Sequence, residues 1–153
     1  MGAAKPWLIA IAMAVAAGIG GGAAVWSLQE PDPPPPDLAR GASLYAEHCA
    51  ACHGANLEGE ANWRERRPDG RLPAPPHDAT GHTWHHPDSV LFRITKEGSE
   101  AVIGDGYQSD MIGFGDVLTD QEIRDILGYI KSQWPERERL HQERLNLQDE
   151  ANR

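Results

Sequence analysis

The stretch Cys49-Ala50-Ala51-Cys52-His53 constrains this chain more than any other, because Cys-x-x-Cys-His is the spacing of covalent c-type haem attachment. Two thiols one helical turn apart can reach the two vinyl groups along one edge of a porphyrin. The adjacent imidazole then lies under the iron as proximal ligand. Cys49 and Cys52 are therefore the expected attachment points and His53 the expected metal ligand of a fold that closes around its cofactor. Both cysteines of the chain lie in this motif. A thioredoxin-like redox pair would need a βαβ context, which the sequence lacks, and a structural zinc site would need a second pair of ligands.

At 153 residues the chain has room for one compact domain with appendages, which suits a carrier of a single haem. Its formal net charge of -9 argues against nucleic acid or an anionic lipid surface as partner of the globular part, since either selects a basic face. A protein with a basic patch is the natural complement. With no cysteine outside the motif, there is no disulfide framework.

Between Lys5 and Glu30 no side chain is charged, and the run from Pro6 to Gln29 is long enough to cross a hydrocarbon core as a helix. Trp7 and Trp26 flank it as interface anchors, and Lys5 on the short amino-terminal side suits retention in the cytoplasm. Residues 1–28 are thus expected to form a signal anchor, a single transmembrane helix. The alternative is a cleaved signal peptide with Ala14-Val15-Ala16 or Gly22-Ala23-Ala24 as the small-residue processing site. Residues 29–37 follow as a linker, in which Pro31 and Pro33 to Pro36 exclude both helix and ladder strand. An extended polyproline II spacer is expected, holding a tethered domain near membrane partners.

Residues 38–135 read as an all-α globular domain. Asp37 is placed to cap a helix from Leu38 to His48, with Gly41, Leu44, Tyr45 and His48 on one face. A second helix is expected from Ser89 to Glu97, announced by Pro87-Asp88, with Val90, Leu91 and Ile94 inward and Gly98 as its end. Thr119-Asp120-Gln121-Glu122 is a capping box, after which Ile123, Ile126, Leu127, Ile130 and Trp134 keep helical spacing until Pro135. Residues 136–153 carry mixed charge with only Leu140, Leu145 and Leu147 as apolar anchors, the pattern of a charged, solvated helical tail.

A haem motif behind a first helix, a methionine in a loop and a strong terminal helix give the stretch from Leu38 to Trp134 its resemblance to the class I cytochromes c of bacteria. The resemblance implies three main helices and loops around one covalently bound haem, preceded here by the transmembrane helix. It implies that Gly41 and Tyr45 meet the face of the last helix carrying Leu127, Tyr129 and Ile130, the small residue letting the backbones approach. It further implies a thioether as sixth iron ligand. Met1 and Met13 lie in or before the apolar run, which leaves Met111. Its setting, Asp110-Met111-Ile112-Gly113-Phe114-Gly115-Asp116, is similar to the family's Met-Pro-x-Phe-Gly stretch, with Ile112 where proline is common. His53 and Met111 are the implied axial pair, an arrangement suited to electron transfer. The carbonyl of Pro75 or Pro76 is implied as acceptor of the His53 ring proton.

Three further groups of residues are candidates for lesser roles. Trp63 and Trp84 could pack on the porphyrin or donate an indole N–H to a propionate. Arg64, Arg66, Arg67 and Arg71 form a basic cluster, read as a solvated loop, that could also neutralise propionates or meet an acidic partner. His77, His82, His85 and His86 could offer a rival sixth ligand or a copper or zinc site, but their irregular spacing favours solvated loop histidines.

The resemblance implies an electron carrier rather than an enzyme, exchanging electrons with redox proteins such as a quinol-oxidising complex and a terminal oxidase. It places the haem domain in the periplasm at the bacterial inner membrane, or free in the periplasm if the signal is cleaved. The alternatives are a haem enzyme or gas sensor whose sixth position is open or histidine-ligated, and a copper-handling module built on the histidine loop.

Overall fold

The computed structural model describes residues 32–153. The segment read as a membrane anchor, 1–28, lies outside them; among the described residues no helix is long and apolar enough to cross a membrane.

Helix α1, Leu38–His48, starts where the Asp37 carboxylate accepts the amides of Ala39 and Arg40 at 3.1 and 3.0 Å. These bonds satisfy amides that the first turn would otherwise leave unpaired. The Cys49 amide still bonds back to the Tyr45 carbonyl, so α1 runs almost directly into the short α2, Ala50–His53. A 3₁₀ turn at Thr83–His85 precedes α3, Asp88–Glu97, which ends at Gly98 and is followed by α4, Ser99–Ile103. Helix α5, Asp120–Ser132, opens with the expected capping box: Thr119 accepts the Glu122 amide while the Glu122 carboxylate accepts the Thr119 amide at 2.8 Å. Helix α6, Glu136–Ala151, is the last of the described helices. No strand occurs among the described residues, only one isolated antiparallel bridge between Gly98 and Ile112.

The core forms where the apolar stripe of α5 meets α1 and α3. Ile123, Ile126, Leu127 and Ile130 are buried with Trp134 against Tyr45 of α1 and Leu91 of α3, and Leu57 and Leu118 close it from loops. Each such aliphatic side chain contributes about 1.5 to 3 kcal/mol by leaving water. In α3 the inward positions are Leu91 and Thr95, while Val90 and Ile94 are only partly buried.

Helices α1 and α5 approach most closely at Gly41. A Cβ there would lie 2.6 Å from the Asp125 carbonyl carbon, closer still to its oxygen, and 3.1 Å from the Tyr129 Cβ. Of the expected face, Tyr129 makes this contact, and Asp125 joins it because the α5 backbone itself meets Gly41 there. Tyr45 reaches Tyr129 with ring centroids 5.6 Å apart. The Asp125 side chain, fully buried, accepts the Asp37 amide at 2.9 Å, Gln121 at 3.0 Å and the Arg40 guanidinium at 2.5 Å. The last linker residues therefore lie along α5: Pro34 accepts from Gln121 at 3.4 Å, and Pro36 sits over Gly128.

The tail does not stand free in solvent. Gln142 and Glu138 are buried at 1% and 2% exposure, although no apolar stripe draws α6 inward. What holds it is a polar seam around Asp88 at the start of α3. Gln142 donates to the Asp88 carboxylate at 2.6 Å and Asn146 at 3.0 Å, Asn146 accepts the Asp88 amide at 2.7 Å, and Lys131 of α5 reaches the same carboxylate at 2.6 Å. Ser89 adds a bond to Asp149 at 2.8 Å.

Candidate haem-binding site

The motif residues are positioned by the α1–α2 junction. Cys49 is partly buried, Cys52 is exposed, the two are not joined in a disulfide, and His53 is buried at 6% exposure. Burial pushes the Cys49 thiol up to about 11, with Cys52 beside it adding to the shift. The turn after the motif is closed by the Gly59 amide on the His53 carbonyl at 2.8 Å and by Tyr45, whose hydroxyl donates to the Gly54 carbonyl at 2.8 Å.

His53 Nδ1 lies 2.8 Å from the Pro75 carbonyl. A carbonyl can only accept, so Nδ1 carries the proton and Nε2 keeps its lone pair. Pro75, not Pro76, is the acceptor; the sequence had left the choice open. Burial lowers the His53 pKa against the opposing pull of the Pro75 bond and the Glu60 charge, so the ring is neutral and fit to ligate a metal. Gly59 sets the position of its acceptor. At φ +67° it adopts a conformation that side chains disfavour, and a Cβ there would lie 2.5 Å from the Pro76 nitrogen and 2.7 Å from the Pro75 carbonyl carbon.

His77 plays a part that the sequence did not reveal. Its ring stacks on that of His53, with centroids 3.9 Å apart and planes 21° from parallel. Its Nδ1 lies 2.8 Å from Thr83 Oγ1, and the Trp134 indole N–H donates to its carbonyl at 2.7 Å. Burial lowers its pKa well below the usual range, with His53 and His82 adding to the effect. His77 is therefore a neutral wall beside His53, not one of a set of loop ligands. His82 stacks on Trp63 at 5.4 Å and His85 on Trp84 at 3.7 Å, with His141 of α6 edge-on to the latter pair. Among the described residues no group of three or more His, Cys, Asp or Glu side chains is disposed to hold a metal ion.

Met111 is half-buried in a loop anchored on α3 and α4. Its carbonyl accepts the Ser99 amide at 3.1 Å and its amide donates to Ser109 Oγ at 3.0 Å. Downstream, the Phe114 amide bonds to the Thr95 carbonyl at 2.9 Å and the Gly115 amide to the Lys96 carbonyl at 3.0 Å. Ile112, where proline was the familiar residue, is 67% exposed. Backbone bonds to the end of α3 thus do the fixing that a proline would do.

A buried orphan lies in the 3₁₀ turn before α3. The Trp84 indole nitrogen is buried without a hydrogen-bond partner among the described residues, a costly state for an N–H unless a further group supplies an acceptor. A haem propionate is such an acceptor. Together with two cysteines at the right spacing and a neutral imidazole whose Nε2 makes no hydrogen bond among the described residues, the residues present fit a covalent haem.

A family model for cytochrome c matches residues 38–134, more than half of the 153-residue chain. The chain belongs to the cytochrome c family. Membership in this family implies covalent haem c and, in general terms, haem-based electron transfer. No curated protein and no solved structure matches the chain. The match ends at Trp134, so α6 lies beyond the matched segment.

The arginine cluster is largely committed within the chain. Arg67 pairs with Glu60 at 2.7 Å and with Asp110 at 3.0 Å, Arg71 pairs with Asp110 at 2.8 Å, and Arg66 bonds to the Gly70 carbonyl at 2.6 Å. Arg64 lies 4.0 Å over the Trp63 ring. A free basic patch is not what these side chains form.

Proposed function

We propose that the chain is a one-electron carrier with one haem c attached through Cys49 and Cys52, the iron held between His53 Nε2 and the Met111 thioether. When bound, the haem supplies a ferrous/ferric couple. The observation that carries this is His53, a buried neutral imidazole fixed through Nδ1 on the Pro75 carbonyl, directly behind the cysteine pair. The chain's own residues do the tuning. Pro75 orients the ring and raises its basicity as a ligand, and His77 keeps water from one ring face. The bonds from Ser99 and Ser109 hold Met111 in its loop, and Trp84 offers an N–H to a propionate.

The same proposal extends to setting and partners. The apolar run from Pro6 to Gln29 supports a periplasmic haem domain tethered to a bacterial inner membrane, and the net charge of -9 supports redox partners with basic faces. A quinol-oxidising complex as donor and a terminal oxidase as acceptor suit such a carrier.

The test is spectroscopic. The ferric holoprotein is expected to carry a sulfur-to-iron charge-transfer band that Met111→Ala abolishes while the potential falls. Cys49→Ala and Cys52→Ala should each weaken covalent retention of haem through acid extraction. A band absent from the unmutated protein, with ready carbon monoxide binding, would instead make it an enzyme or gas sensor with an open or histidine-ligated sixth position.

A further inference from the structure

The loop between the haem motif and Pro75 folds back on itself. The Glu60 amide donates to the Ala74 carbonyl at 2.9 Å, the Glu60 carboxylate accepts the Ala74 amide at 2.6 Å, and the Arg67 amide donates to the Arg71 carbonyl at 2.8 Å. Glu60 thereby fixes the residue immediately before Pro75, whose carbonyl holds His53. Arg67 Nη2 donates to both oxygens of the same carboxylate, at 2.7 and 2.8 Å. The other arm of Arg67 reaches Asp110 at 3.0 Å, and Arg71 reaches the second oxygen of Asp110 at 2.8 Å. Asp110 is the residue immediately before Met111.

We infer that Arg67 is a positioning residue that latches the Met111 loop to the Pro75 segment, so that the loop bearing Met111 and the segment whose carbonyl holds His53 are kept in register by its guanidinium. This rests on the axial assignment of Met111 proposed above. The two flanks of Met111 are held by different physics. Downstream, the loop is fixed by backbone hydrogen bonds to α3. Upstream, Ser109 bonds to Glu100 at 2.8 Å, and the tie to the opposite side of the site is ionic. That tie is partly exposed, the Arg67, Glu60 and Asp110 side chains keeping 35%, 40% and 50% of their area in solvent, so salt screens it. A planar fork suits a bridge between two carboxylates better than an ammonium does, which makes Arg67 hard to replace by lysine.

The experiment is a titration of the ferric holoprotein with imidazole, which competes for the sixth position, followed by loss of the sulfur-to-iron band. It is run at about 0.01 M and about 1 M salt, where the Debye length is about 30 Å and about 3 Å. Arg67→Met is expected to raise imidazole affinity about fivefold at low salt, equivalent to about 1 kcal/mol. High salt should bring the unmutated protein close to the variant, and Arg67→Lys should recover only part of the difference. Asp110→Asn, a nearly isosteric change at a half-exposed site, should act in the same direction and by less in the Arg67→Met background. Haem content and helical circular dichroism serve as checks of folding. Equal imidazole affinity in the unmutated protein, Arg67→Met and Asp110→Asn at low salt would overturn the latch while leaving Met111 as ligand. A missing band in the unmutated protein overturns the axial assignment and the latch together, so the two failures are separable.

Discussion

Gly41 in α1 touches the backbone of Asp125 in α5, with no room for even a methyl group between them. That contact sets how closely the helix leading into the haem motif can approach the helix that supplies most of the core. Gly41→Ala would force the helices apart or shift both backbones, and overpacking of this kind costs about 3 kcal/mol. The expected outcome is a matching fall in urea stability with reduced haem incorporation, measured by denaturation of the holoprotein and by the haem-to-protein ratio.

Asp125 makes stability depend on acid. Burial opposes ionisation, but the Asp37 amide, Gln121 and Arg40 outweigh it and hold the carboxyl below its ordinary value of 3.8. Its contribution is therefore complete above that ordinary value and is lost as pH falls through the lower folded value. Asp125→Ala, which leaves three donors short of an acceptor, should cost about 2 to 4 kcal/mol near neutrality. The gap between variant and parent should narrow in urea titrations taken from about pH 6 to about pH 2.

Gly59 controls the acceptor of the proximal histidine. In Gly59→Ala the new methyl presses on Pro75 and Pro76, and the bond from His53 Nδ1 lengthens. A weaker bond makes the imidazole a poorer donor to ferric iron, so the midpoint potential should rise. Loss of about 1 kcal/mol corresponds to about 40 mV for one electron, a shift that redox titration resolves.

The seam at Asp88 predicts unequal effects along α6. Gln142→Ala removes a buried donor to Asp88 and to the His86 carbonyl, and should destabilise the fold by about 1 to 2 kcal/mol. Leu147→Ala, at a side chain 66% exposed, should stay within about 0.5 kcal/mol of the parent. Thermal unfolding of both variants checks the contrast.

Signals that act over a few residues were legible in the sequence. Asp37 and the Thr119–Glu122 box mark the starts of α1 and α5, Gly98 marks the end of α3, and the 3.6-residue stripe of α5 names its buried positions. Partnerships across the chain were not. Pro75 and Pro76 differ only in which carbonyl the Gly59 turn presents to His53. Arg67 and Asp110, 43 residues apart, look like two surface charges until the loop folds back. The tail looked solvated because hydrophobic patterning registers apolar anchors, whereas Gln142 and Asn146 are held by a carboxylate more than 50 residues away. His77 looked like its loop neighbours, since nothing local to it signals a stack on His53.

The polar seam of α6 also bears on how the chain opens. A helix held by side-chain hydrogen bonds, with few buried apolar contacts, belongs to the low-stability end of a structure, while α1 and α5 share its core. Amide protons of this 16-residue helix should therefore exchange through a sub-global opening that leaves the rest of the fold closed. Those of Tyr45 and Ile126 should exchange only when the whole domain unfolds.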